Sequence, residues 1–165
     1  MIAPAIAVAA LVWLCLLLAS PNGPTSLSAV MYGVGSFLCH QNPERSFHLW
    51  GFQLPVCARC LGIYAGFALM ASAHAGTSMA RRFRPRPLTP ASARWVFAIG
   101  ALPTAVTLAL EWSGGWRGSN VVRAIAGSVL GAGIALVVMS VVATLHYNAC
   151  ERRRPTEPSQ LPPPM

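Results

Sequence analysis

Apolar residues along this chain gather into four long runs and one shorter run, set apart by brief polar stretches. Ile2 to Ala19 carries no charged side chain and is about as long as a helix must be to cross ~30 Å of hydrocarbon at ~1.5 Å per residue. It predicts a first transmembrane helix. A cleaved signal peptide is the competing reading. No basic segment precedes the run, however, and Pro21 follows Ala19-Ser20 where a small-residue cleavage site would stand, so an uncleaved anchor is expected. Pro21-Asn22-Gly23-Pro24 breaks the helix. Ser26 to Leu38 is apolar but too short to span, and reads as an interfacial or re-entrant helix that delivers Cys39-His40 to the membrane surface.

A second span is expected to start near Pro55, because proline suits the first helical turn, which would put Cys57 and Cys60 in its opening turns. Leu61 to Ala80 then carries no charge, and Gly62, Ala65, Gly66 and Ala73 give it a small-residue face for close helix contact. Leu69 interrupts that face, so the closest approach should lie near the cysteine end. Trp95 to Leu110 predicts a third span, kinked at Pro103 and ending at Glu111-Trp112. Ala124 to Tyr147 predicts a fourth, with the small pair Gly127 and Gly131. Pro155 to Met165 is proline-rich and polar and is expected to be disordered.

The fold class expected is therefore all-α: an integral membrane bundle of about four transmembrane helices, a short interfacial or re-entrant helix and a Cys/His extracytoplasmic segment. In chain order these are helix 1 (1–20), the extracytoplasmic segment (21–56), the CxxC with helix 2 (57–80), an arginine-rich loop (81–94), helix 3 (95–112), a turn (113–123), helix 4 (124–147) and a tail (148–165).

Composition supports lipid as the solvent. Hydrophobic residues make up 55% of the chain and charged residues 10%, where a soluble domain needs roughly 25% charge to cover itself. The net charge of +8 comes from twelve arginines against four glutamates, with no lysine. These arginines bracket the apolar runs instead of covering one polar face, which argues against nucleic acid as a partner. Five of them (81, 82, 84, 86, 94) fall in one proline-broken loop and three more at 152–154. Short loops rich in arginine stay cytoplasmic. The expected protein is thus multi-pass in a bacterial inner membrane with both termini inside, the bilayer its partner and anionic lipid a neighbour of the loop. Cys39 to Cys60 then faces outward.

That segment holds three of the five cysteines and two of the four histidines. Cysteines so few and so unevenly spaced do not make a secreted disulfide framework, so a metal or redox site is the first reading. Cys57-Ala-Arg-Cys60 sets two sulfurs at i and i+3, able to clamp one tetrahedral ion or to form a reversible disulfide. Arg59 and a helix N-terminus would both favour the thiolate. With Cys39 and His40 the set becomes three sulfurs and a nitrogen, a zinc-type donor set, with copper or iron as alternatives. Adjacent residues such as Cys39 and His40 seldom both bind one ion, because their side chains diverge, so His48 is a candidate fourth ligand in place of His40, or one position stays open. The bland reading of His48 is an interfacial histidine beside Trp50.

Glu44 and Arg45 read as supports behind the ligands or as a local ion pair. Glu111, an acid set against a span, needs a partner, and Arg123 across the short turn is the obvious one, with Ser119 and Asn120 bonding nearby. The bland role is a structural pair; the sharper one is that this turn roofs the cysteine segment. Cys15 reads as a buried or lipid-facing small hydrophobe.

Cys39-His40-Gln41, Pro43-Glu44-Arg45-Ser46-Phe47, Gly51, Gln53, Pro55-Val56-Cys57-Ala58-Arg59-Cys60 and Gly62-Ile63-Tyr64-Ala65-Gly66 resemble the signature of a family of small prokaryotic membrane proteins classed as domain of unknown function 2085. Ser119-Asn120, Arg123 and Gly127 are similar to that family's second, weaker motif. The chain departs from the pattern in having Leu61 where the family tends to have a threonine, and in lacking the family's aspartate-glycine pair near Glu111-Trp112, which leaves the role of Glu111 open. The resemblance implies a helical membrane protein with a Cys/His site and supplies no established activity. A likeness in architecture alone, a CxxC at the outer end of a four-helix bundle, ties the chain to quinone-linked disulfide-forming oxidoreductases. Three functions follow as expectations: a non-enzymatic metal-binding membrane protein with Cys39, His40, Cys57 and Cys60 as ligands; a thiol oxidoreductase using Cys57 and Cys60, relaying electrons through Cys39 to a quinone; or an accessory subunit packed against other transmembrane subunits.

Overall fold

The computed structural model describes residues 2–79 and 88–152. The chain is mostly helical, in the order α1 (Ile2–Ala19), α2 (Thr25–Leu38), β1 (Ser46–Leu49), β2 (Phe52–Cys57), α3 (Ala58–Met79), α4 (Pro90–Trp112) and α5 (Asn120–Arg152). The expected arginine loop at Arg81, Arg82, Arg84 and Arg86, and the tail from Arg153 onward, lie outside the described residues.

The all-helical expectation fails at residues 46–57. Here β1 and β2 pair antiparallel, with Ser46 opposite Cys57, His48 opposite Gln53 and Leu49 opposite Phe52. Trp50 (φ 53°) and Gly51 (φ 84°) close the hairpin in left-handed conformations, the backbone a two-residue turn demands. Pro55 consequently sits in β2 and not in a first helical turn, and α3 begins only at Ala58. A two-stranded sheet has free edges, where a residue without an N–H costs no ladder bond.

Caps explain where the later helices begin. Thr89 accepts a hydrogen bond from the Ser92 N–H at 3.2 Å and Pro90 takes the first turn, so α4 starts five residues before Trp95. The Ser119 hydroxyl accepts from the Val122 N–H at 3.3 Å, which starts α5 at Asn120 and draws Arg123 into its first turn.

Helix α3 occupies the centre, packed against α1 on one side and α5 on the other. Ala7 of α1 meets Ala71 and Ala75 while Leu17 packs near Cys60 and Tyr64, so α1 and α3 run antiparallel. The α3–α5 contact is parallel and backbone to backbone. A methyl group built on Gly62 would lie 2.0 Å from the Ala124 carbonyl oxygen, and one on Gly66 2.0 Å from that of Ser128. Reciprocally, a methyl group built on Gly127 would run into the Arg59 carbonyl oxygen and one on Gly131 into that of Ile63. Two glycine pairs thus interlock, and the tight region lies at the cysteine end of α3. Helix α4 runs antiparallel to α5, where Gly100 approaches Val129 and the Thr104 hydroxyl donates to the Ala126 carbonyl at 2.9 Å.

Among the described residues, three helical stretches are long and apolar enough to cross a membrane: Ile2–Asn22, Pro90–Trp112 and Asn120–Leu145. Helix α3, with 22 residues, is not among them. Arg59, His74 and its many glycines, alanines and serines lower its hydropathy, as suits a helix whose neighbours are largely other helices.

The interlock predicts opposite outcomes for one substitution at two glycines of α3. Gly66→Ala should destabilise the fold by about 1–3 kcal/mol, because the new methyl meets immovable backbone. Gly76→Ala, with nothing within 4 Å of the added carbon, should be neutral or stabilise by up to about 1 kcal/mol. Equilibrium unfolding in mixed micelles measures both.

Candidate metal centre

Cys39 is delivered by the end of α2. Its N–H bonds the Gly35 carbonyl at 2.8 Å, and its own backbone turns to extended geometry, which ends the helix. Gly35 is needed there: a methyl on it would sit 2.3 Å from the Pro55 carbonyl oxygen and 2.7 Å from the Gln41 amide nitrogen. The segment after Cys39 is then stitched to β2. The Gln41 side chain donates to the Tyr32 carbonyl at 2.8 Å and the Pro55 carbonyl at 2.9 Å. The Gln53 side chain donates back to the Gln41 carbonyl at 2.6 Å, and the Tyr32 hydroxyl donates to the Gln53 carbonyl. Since β2 runs directly into Cys57, this clamp fixes Cys39 against the CxxC.

The outcome is a cluster of three sulfurs. The Sγ atoms of Cys39, Cys57 and Cys60 all lie within 4.8 Å of one another, and all three residues are half-buried. The Cys57 N–H donates to Cys39 Sγ at 3.2 Å. The Cys57 thiol is pushed down to about 5, first by the hydrogen bond from the Cys60 thiol and then by the Cys60 N–H and Cys39, against an opposing push from burial. Below the sulfurs, Leu17, Met31 and Val56 are buried together with Trp13, Cys60 and Tyr64 packed on them, so the floor is apolar. Three soft donors that close together, with one already accepting a backbone N–H, fit a thiophilic ion.

The histidines stand elsewhere. His40 is exposed and does not join the sulfur cluster, and His48 is exposed on β1. Glu44 is exposed, and its N–H caps onto the Asn42 side chain at 3.0 Å. Among the described residues the metal-type cluster is the three cysteines. Cys15 is exposed in α1, away from it.

Glu111 ends α4 with its side chain only 2% exposed. Its Oε1 accepts from Arg123 Nε at 2.8 Å and Arg59 Nη2 at 3.3 Å, and its Oε2 lies 3.7 Å from Arg45 Nη1. The short loop between Glu111 and Arg123 does bring them together. Arg123 also donates to Asn120 Oδ1 at 2.9 Å, and Asn120 Nδ2 donates to the Ser46 carbonyl at 3.0 Å. One carboxylate therefore ties α5, the CxxC turn and the segment carrying Cys39 into a single network. Three guanidinium groups against one carboxylate leave two positive charges uncompensated within it.

Sequence reasoning named the three cysteines that come together, with His40 beside them, but not the clamp. Gln41 and Gln53 were visible only as members of the family-like motif, although two amides beside apolar runs signal polar groups that need partners. Nothing in the sequence separates the essential Gly35 from Gly33, which has open space around it.

A family profile described as a predicted membrane protein, domain of unknown function 2085, matches residues 39–137. The chain belongs to this family. The matched region starts at Cys39 itself and takes in the hairpin, the CxxC, Glu111, Asn120 and Arg123, so it contains the whole site. An uncharacterised protein of the archaeon Methanocaldococcus jannaschii is 28% identical over 123 residues, covering 74% of each chain. An uncharacterised protein of Methanothermobacter thermautotrophicus is 53% identical over 30 residues, which is 18% of this chain and 27% of that one. No solved structure matches this chain.

The depressed Cys57 thiol sets a pH profile for the metal-free protein. A lowered value means that the reactive thiolate is present above about pH 5 and lost below it. Iodoacetamide alkylation at Cys57, followed by peptide mass analysis, should be near its plateau at pH 7 and fall to half near pH 5. An ordinary cysteine would still be rising tenfold per unit through that range.

Proposed function

We propose that this family member holds one metal ion on Cys39, Cys57 and Cys60 at the outer face of a prokaryotic cell membrane, in a structural or accessory role. The observation that carries the reading is the convergence of three sulfurs within 4.8 Å. Zinc is the ion whose donor preference fits best, and copper and iron share the affinity for thiolates. When bound, the ion would clamp the end of α2 to the start of α3. Glu111, Arg45, Arg59, Asn120 and Arg123 would hold that junction from the α4–α5 side.

The bundle in this reading has four spans. Helix α3 supplies the fourth, because its backbone contact with α5 keeps it at the depth of the span Asn120–Leu145. Arginine placement supports the orientation, with Arg94 and Arg152 beside the other inner arginines and the sulfur cluster opposite. Both named relatives are archaeal, which widens the expected bacterial inner membrane to the cell membrane of prokaryotes.

A thiol–disulfide oxidoreductase is the second reading, favoured by one feature. An apolar groove of about 460 Å³ between α1, α3 and α5 runs past Trp13, Tyr64 and Phe67, and Tyr64 lies one turn below Cys60. A quinone there would take two electrons and two protons from the Cys57/Cys60 dithiol, leaving a disulfide and a quinol.

Metal analysis of detergent-purified protein separates the two. The metal reading expects about one ion per chain in the wild type and loss of most of it in Cys57→Ser. A wild type free of metal, with Cys57 and Cys60 trapped in cells as a reversible disulfide, would transfer the function to the second reading.

A further inference from the structure

Zinc-type thiolate sites are completed by four donors, and a site with three from the protein keeps one position for something else. Among the described residues no further cysteine, histidine, aspartate or glutamate joins the cluster of Cys39, Cys57 and Cys60. His40 and His48 are both exposed. Three thiolates with a divalent ion carry one net negative charge, while the neighbouring Glu111 network carries two uncompensated positive charges. Arg59 belongs to both, its backbone between Cys57 and Cys60 and its guanidinium on Glu111. The surroundings therefore tolerate one more negative charge at the ion. On the segment between Cys39 and Cys57, Arg45, with its side chain 45% exposed, and His40 and His48 are exposed beside the exposed acid Glu44. An anionic ligand is what this charge balance accepts, and sulfur is the donor that matches the three already present.

We infer that the fourth position takes a thiolate from outside the chain, the sulfur of a small thiol or of a cysteine on a polypeptide partner. The inference rests on the metal reading. The incoming thiol gives up its proton to solvent and its sulfur forms the fourth bond, with no change in oxidation state. Ligand exchange at that position is then the route by which the ion enters and leaves, so the site communicates with thiols at the membrane surface.

The test uses the full chain in detergent micelles, loaded with cobalt(II) as an optically visible substitute and titrated with 2-mercaptoethanol. The sulfur-to-cobalt charge-transfer absorbance per bound cobalt should rise saturably by about a third, as three sulfurs become four. His40→Ala should follow the same curve. Unchanged bands on adding thiol would overturn the inference, as would their complete disappearance, which means that the thiol removes the ion and does not join it. A thiol-free spectrum altered by His40→Ala would also overturn it, by making His40 the fourth ligand. A protein that takes up no cobalt at all fails the metal reading itself, which separates the two failures. A ten-residue peptide bearing one cysteine distinguishes the sources: half-saturation equal to that of 2-mercaptoethanol identifies a small thiol as sufficient, and half-saturation at least tenfold lower identifies a polypeptide donor.

Discussion

Helices α3 and α5 touch backbone to backbone, and that contact sets the position of nearly everything at the cysteine end of the molecule. Within lipid there is no hydrophobic gain in pressing two apolar helices together, so association depends on how closely their surfaces fit. Gly62, Gly66, Gly127 and Gly131 remove the side chains that would hold the axes apart, and carbonyl oxygens of the facing helix fill the space. The uppermost of these contacts is the Arg59 carbonyl against Gly127, in the first turn of α3 between Cys57 and Cys60. The interlock therefore reaches into the site.

Its consequence is electrostatic. With α5 this near, Arg123 and Arg59 reach the same oxygen of Glu111. A carboxylate with 2% side-chain exposure would be costly alone, and removing one member of such a set leaves the others uncompensated. Arg45 and Asn120 extend the network to the segment between Cys39 and Cys57. The glutamine clamp on β2 works from the other side. Between them the three sulfurs are held by α2, the hairpin, α3, α4 and α5, although Cys39 only caps α2, Cys57 ends β2 and Cys60 lies in the first turn of α3.

The parts of this arrangement legible in the sequence were those with a length or charge signal. Ile2 to Ala19 reads as a helix because an uncharged apolar run of that size has few alternatives, and Glu111 with Arg123 reads as a pair because a lone acid beside a span must find a partner. The small-residue faces of α3 and α5 were visible separately. Their mutual registration was not, since it depends on which helices become neighbours. The hairpin was missed for a different reason: Pro55 satisfies both a helix start and an edge strand, and Trp50-Gly51 lacks the usual asparagine or aspartate of a two-residue turn. Cys57 was thereby assigned to a helix, where in fact it ends a strand. The separation of His40 from the sulfurs follows the divergence of adjacent side chains, which the sequence already offered as a reason for an open fourth position.

The central claim is that Cys39, Cys57 and Cys60 jointly hold a metal ion. X-ray absorption at the metal edge of the purified protein tests it most directly, because it counts the neighbours of the ion by element. At least three sulfur neighbours at about 2.3 Å are expected. An ion surrounded by oxygen and nitrogen alone, or by a single sulfur, would contradict it.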